Sequence, residues 1–123
     1  MLYLLAVHHT VTSDGDYSAD LPADVHPEEV FDAIESFNAE LQITRSWVFA
    51  GGLQPLPEGA TVDASDTGFG FAAGRQATPP EALGGFWVID VTDRPTALHW
   101  ARRASAACRQ PVQLRPFQGQ AAA

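Results

Sequence analysis

The chain has 123 residues, of which 46% are hydrophobic and 10% aromatic, enough apolar side chains for the core of a single domain. Its seven basic residues are all arginine, and its 15 acidic residues bring the net charge to −8, which argues against nucleic acid and anionic membranes as partners. No apolar run approaches the about 20 residues of a membrane span, and no secretory signal is recognisable, so we expect a cytoplasmic protein.

The first half of the chain predicts a strand, a loop, a helix and a second strand. Residues 1–8 alternate with apolar side chains on both faces, which is typical of a strand covered on both sides. A polar loop follows over 10–24. Pro27 and two following glutamates favour the start of a helix over 27–44. A short strand is predicted over 47–50, and two glycines follow it.

The second half predicts a hairpin, a strand, a helix and a last strand. Residues 60–64 and 69–73 flank a turn-forming segment and indicate the hairpin. A strand over 86–91 is again apolar on both faces. Asp93 is expected to cap a helix over 94–106, and a half-exposed strand follows over 112–117.

This order predicts an α+β domain of the ferredoxin-like βαββαβ type with an inserted β-hairpin, spanning residues 1–117, with a disordered tail over 118–123. Two helices cover only one face of such a sheet, whereas the strands at Leu2 and Phe86 are apolar on both. We therefore expect a second copy of the chain to cover the other face, as a homodimer.

The charge is unevenly divided along the chain. Residues 1–44 hold nine acidic residues and no arginine, and residues 94–123 hold five arginines and no acidic residue. The two segments are either separate solvated faces or surfaces that pack side by side, within one chain or across a dimer.

Several segments together resemble the YCII-related family, in particular its branch with a DGPF domain. They follow the family's order through nearly the whole chain: MLYLLAVH (1–8), FNAEL (37–41), WVFAGGLQP (47–55), LGGFWVID (83–90), AL and WA (97–98 and 100–101) and VQLRPF (112–117). The resemblance implies a dimeric α/β-barrel of ferredoxin-like protomers. It also implies a cleft in which some relatives are proposed to use a His and an Asp as an acid/base pair without a cofactor, some of them as lyases on small ring compounds.

The chain departs from this family at both members of the pair. The Asp-Gly-Pro-Phe signature falls on Ala73-Gly74-Arg75-Gln76, so the signature acid is missing. Ile34 occupies the helix position at which many relatives carry a histidine. The family's acid/base pair is therefore not transferable to this chain.

The remaining candidates for chemistry are a histidine, an arginine and two aromatic residues. His8 and His9 point to opposite sides of a strand, and we favour His8 as a proton carrier because it also matches the family's opening strand. Trp47 and Trp87 are expected to form walls for a planar ligand, and Arg75 to bind an anionic group. A purely structural role is the alternative for each of these four residues, in the core, at a strand end or on the surface.

We predict neither a metal site nor a cofactor. The glycine pairs 51–52 and 84–85 lack the spacing of nucleotide-binding loops and favour close strand packing instead. Four histidines without a short repeat spacing are weak evidence for a metal. The single cysteine, Cys108, excludes an internal disulfide and a multi-thiolate zinc site.

Three functions remain open at this point. The first is a cofactor-independent lyase, isomerase or cyclase acting on a small aromatic or anionic metabolite, and the second is a non-catalytic binding or accessory protein that has lost the acidic residue. The third is an interaction role for the acidic N-terminal face. An open cavity with a histidine in its wall distinguishes the first from the others.

Overall fold

The structure is a computed structural model that describes residues 1–11, 17–18, 23–64, 70–73 and 81–120. The predicted anion-binding residue, Arg75, lies outside these ranges. Two helices and seven strands are found in the described ranges: β1 (Leu2–Val11), β2 (Tyr17–Ser18), α1 (Pro27–Ile43), β3 (Trp47–Gly52), β4 (Ala60–Asp63), β5 (Gly70–Ala73), β6 (Glu81–Asp90), α2 (Arg94–Cys108) and β7 (Gln113–Pro116).

The main sheet is antiparallel and four strands wide. β1 and β6 are its centre, with Leu5 opposite Trp87. The outer edge of β6 pairs with β3. The outer edge of β1 pairs with β7 along its first half and with β2 at its end. With two helices between these strands, the chain is an α+β protein whose arrangement is compatible with a ferredoxin-like fold.

β4 and β5 lie outside the main sheet. They pair antiparallel with each other, with Ala60 opposite Ala73, as a second sheet of two strands. A single 3₁₀ turn, Leu56–Glu58, precedes β4.

Local signals set the helix ends. Pro27 occupies the first turn of α1, with Glu28 and Glu29 near the positive end of the helix dipole. The Asp93 carboxylate accepts the backbone N–H of Thr96 at 2.8 Å, which confirms the predicted cap of α2. None of the helices in the described ranges combines the length and apolar character that a membrane crossing requires.

Both helices pack on the same face of the sheet, and the core lies between the helices and that face. Its largest fully buried side chains come from β1, α1 and β6: Leu5, Leu41 and Ile89. Phe37 of α1 makes edge-to-face contacts with Trp87 on the sheet and with Trp100 on α2, at centroid distances of 5.3 and 5.9 Å. This aromatic cluster holds α1, α2 and the sheet together.

The acidic and basic segments meet where the two helices touch. Glu40 of α1 forms an ion pair with Arg103 of α2. The same guanidinium lies over the ring of Trp100, 5.1 Å from its centroid. At this pair the two segments therefore pack side by side within the chain, which is one of the two alternatives stated from the sequence.

Two residues that follow β7, Phe117 and Gln120, also form hydrogen bonds with Leu2 at the start of β1. The side-chain amide of Gln120 donates to the carbonyl oxygens of Leu2 and Phe117 at 2.9 and 2.8 Å, and its own oxygen accepts the backbone N–H of Leu2. Gln120 thus holds the residues after β7 against the start of β1.

The opposite face of the sheet, which we call the outer face, carries Leu4, Ala6, Phe49, Phe86 and Val88. Leu4 lies opposite Val88, and Ala6 opposite Phe86. The ring of Phe49 packs on Phe86 at 6.0 Å and is still 57% exposed. Neither described helix lies on this face. Its uncovered apolar side chains are the reason to expect a dimer.

Candidate functional site

A partly open cavity of about 420 Å³ lies between α1 and the end of the sheet. This volume is within the range of small-molecule sites. Its apolar walls come from β1, α1, β3 and β6: Val7, Val30, Ile34, Trp47 and Trp87. The polar residues in its wall are His9, Asn38, Cys108 and Gln110.

One face of α1 forms the roof of the cavity. Val30, Ile34 and Asn38 are spaced four residues apart, so they lie one above the other along the helix. Ile34 is thus in the cavity wall. It occupies the position at which the resemblance implies a histidine in many relatives, and it places an aliphatic side chain there.

Four glycines on β3 and β6 create the space beneath this roof. Gly52 lies opposite Gly85, and both glycine pairs line the cavity. A Cβ at Gly85 would lie 3.1 Å from the carbonyl oxygen of Gly51, closer than ordinary packing allows. The backbone N–H of Leu53 donates to Gly84 at 2.8 Å. The glycines therefore serve close strand packing, as predicted, and leave a floor without side chains.

His9 stands on this floor, and its imidazole lies against Gly84. A Cβ at position 84 would overlap the imidazole ring. The register of β1 against β6 shifts between Val7 and His8, immediately before this contact. His9 is half-buried and lines the cavity, so the structure brings an imidazole into the site from β1.

His8, which the sequence analysis favoured as the proton carrier, lies outside the cavity wall. It is exposed and is not among the residues that line the cavity. The sequence indicated that the two histidines face opposite sides, but the choice between them needed the pairing of β1, which places Val7 and His9 towards the helices. Trp47 and Trp87 both line the cavity.

Asn38 is a polar residue of the site that the sequence analysis did not single out. The indole N–H of Trp87 donates to its Oδ1 at 2.7 Å, a bond between residues 49 positions apart. The only sequence signal is an asparagine in the middle of a helix, where asparagine is unfavourable unless its side chain has another partner.

Cys108 contributes an unactivated thiol. Burial raises the pKa of this thiol above its ordinary value, and its Sγ lies 3.7 Å from the carbonyl oxygen of Gln110. At neutral pH the group is therefore a thiol and not a thiolate nucleophile.

The described part of the wall has no carboxylate. Across the described ranges there is likewise no group of three or more His, Cys, Asp or Glu residues placed to hold a metal ion. The polar chemistry available in this part of the wall is that of an imidazole, two amides and a neutral thiol.

Comparison with known proteins gives no further assignment. Neither the models of known protein families nor the curated proteins include a match to this chain. Functional conclusions accordingly rest on the cavity and its residues.

Proposed function

We propose that this protein binds a small planar molecule in the cavity beneath α1 and moves a proton on it without a cofactor, as a lyase, isomerase or cyclase does. The observation that carries the proposal is the cavity itself, about 420 Å³ with largely apolar walls and one imidazole. Such a site holds a ring by contact area and places beside it a side chain that can accept and donate a proton.

His9 takes the role of proton carrier in this proposal. It lines the cavity, whereas His8 is exposed, so the role first given to His8 passes to its neighbour. Trp47 and Trp87 provide the walls against which a planar ligand packs. Arg75 remains a predicted anion-binding residue because it lies outside the described residues.

Membership of the YCII-related family is part of the proposal. It is supported by the element order and by the place of Ile34, which puts the position of the relatives' histidine in the wall of this cavity. The dimeric α/β-barrel with its inserted hairpin, and the cytoplasmic location, belong to the same proposal. Support for the dimer is the apolar outer face around Phe49.

The alternative is a non-catalytic protein that binds the same kind of molecule. The replacement of the signature acid by Ala73 favours it, because the relatives' acid/base pair needs that carboxylate. Both functions share the cavity, and they differ in whether a bound molecule exchanges a proton.

Deuterium exchange into a bound ketone distinguishes them. 2-Tetralone is a planar bicyclic ketone with acidic C–H bonds beside its carbonyl. A base that removes this proton leaves an enolate, and a deuteron from D₂O then replaces the proton at the same carbon. For the enzyme we expect exchange, followed by NMR, to be faster than in buffer by about a hundredfold or more.

Variants of the two histidines provide the matched comparison. We expect His9→Ala to abolish the acceleration and His8→Ala to retain it. Binding of 2-tetralone without faster exchange supports the non-catalytic alternative. If neither this ketone nor other small aromatic molecules bind, the cavity is not a ligand site and both functions fail.

A further inference from the structure

We propose that Asn38 selects the ligand: its side-chain amide is oriented to donate a hydrogen bond, so the cavity takes planar aromatic molecules that carry a hydrogen-bond acceptor, such as a carbonyl or carboxylate oxygen. This inference rests on the proposed binding function and specifies the chemical class of the ligand.

The orientation of the amide follows from its partner. An indole N–H is a donor only, so the atom of Asn38 that faces Trp87 must be the oxygen. Oδ1 accepts from the Trp87 Nε1–H at 2.7 Å. Trp87 is buried and packs edge-to-face on Phe37, so its ring does not turn freely. The oxygen is thereby engaged, and the amide cannot flip without breaking this bond.

The NH₂ group of Asn38 is the part that remains for a ligand. Asn38 lines the cavity and lies on α1, one helical turn beyond Ile34. Its Nδ2 carries two donors and no acceptor. Trp87 has already used its own N–H, so it presents only its ring to a bound molecule. An acceptor on the ligand is consequently favoured at Asn38, and a second donor there is disfavoured.

Two ligands of the same shape test this polarity. 2-Acetylnaphthalene carries a carbonyl oxygen, and 2-isopropenylnaphthalene has a CH₂ group in its place. For the wild-type protein we expect the ketone to bind about threefold to tenfold more tightly, as measured by calorimetry, because only the ketone accepts a hydrogen bond. Equal affinities would overturn the assignment of Asn38 and leave the cavity as a ligand site.

The variant Asn38→Asp isolates the donor. A carboxylate retains an acceptor for the indole N–H and replaces the NH₂ group with a second, negatively charged oxygen. We expect this variant to lose the preference for the ketone or to reverse it, because both of its side-chain oxygens are acceptors. A preference for the ketone that persists in Asn38→Asp would show that another group donates the hydrogen bond.

NMR of the wild-type protein provides a second measurement that needs no variant. Because both ligands carry the same naphthalene ring, we expect the two Nδ2 protons of Asn38 to shift with either, and to shift further downfield with the ketone, whose oxygen accepts a hydrogen bond. Shifts of equal size with both ligands contradict the proposal. If neither ligand binds to the wild-type protein, the binding function and this inference fail together.

Discussion

The Cα atom of Gly84 lies against the imidazole of His9, with no room between them for even a methyl group. The two residues belong to the paired strands β6 and β1, next to the register shift after Val7. The place of the imidazole in the cavity therefore depends on a residue of the neighbouring strand that has no side chain.

Replacing this glycine tests the contact directly. Gly84→Ala should displace the His9 ring while leaving it in the protein, and so reduce ketone exchange to the level of His9→Ala. We expect it to destabilise the fold by about 1–3 kcal/mol, measured by urea unfolding, because the added methyl overpacks the site.

Gly51→Ala is the control, since it adds the same methyl to a strand that borders the cavity, but on the side of Phe49 and away from His9. Its Cβ would meet nothing closer than the Phe49 ring, at 3.8 Å. This variant should keep the His9-dependent exchange. Wild-type exchange in Gly84→Ala would mean that the ring does not need its present position.

The hydrogen bond between Trp87 and Asn38 should contribute measurably to stability. Asn38→Leu leaves the buried indole N–H without its acceptor, which costs about 1–3 kcal/mol of the free energy of unfolding. Adding Trp87→Phe removes that donor, so the double variant should lose less stability than the two single losses combined. Urea unfolding of all four proteins measures the coupling, and strict additivity would contradict it.

Much of the fold was predictable because its signals are local. Pro27 and Asp93 mark the helix starts within a few residues of sequence, and alternation identifies the central strands. The strand predicted over 86–91 is longer in the structure, Glu81–Asp90, and its first half was missed because it ends in two glycines that resemble a turn. Pairing with β1 and β3 is what makes this half a strand.

The candidate site was less predictable because it depends on contacts between distant residues. Trp47 and Trp87 were expected to be walls for a planar ligand because the short chain holds many aromatic residues on its predicted strands, and both line the cavity. His8 was preferred to His9 because it matches the opening strand of the YCII-related family, and the sequence does not show which of the two faces borders a cavity. The importance of Asn38 is evident only from its hydrogen bond with Trp87, which forms because α1 packs on the sheet.

The single cysteine offers a direct report of ligand binding. Cys108 lies in the cavity wall, and burial raises the pKa of its thiol. We expect it to react with iodoacetamide at neutral pH more slowly than a free thiol, because little thiolate is present. Saturating 2-acetylnaphthalene should slow the reaction further. Alkylation at an unchanged rate with the ketone bound would place the ligand elsewhere.

The cap of α2 predicts how stability depends on pH. The hydroxyl and the backbone N–H of Thr96 lower the pKa of Asp93 below its ordinary value of 3.8. At pH values above 3.8, the ionised carboxyl of Asp93 therefore stabilises the folded chain. This stabilisation is lost as the pH falls through the pKa that Asp93 has in the folded state.

Asp93→Ala should therefore unfold at a lower temperature than the wild-type protein at pH 7, and the difference should shrink below about pH 4. Asp93→Asn also accepts the N–H of Thr96 and does not titrate, so its loss relative to wild type should be smaller at pH 7. Thermal unfolding followed by circular dichroism between pH 3 and 7 measures both. An Asp93→Ala deficit that is constant with pH would contradict the cap.

The outer face of the sheet should determine the oligomeric state. Phe49 is 57% exposed there and packs on Phe86, while Phe31 on α1 is 61% exposed on a different element. We expect the wild-type protein to be a dimer at micromolar concentration by light scattering. Phe49→Asp should shift it to monomer, because a charge buried between two sheets lacks a partner. Phe31→Asp carries the same change at similar exposure and should remain dimeric. A monomeric wild-type protein, or a dimer that Phe31→Asp disrupts and Phe49→Asp does not, would rule out pairing through this face.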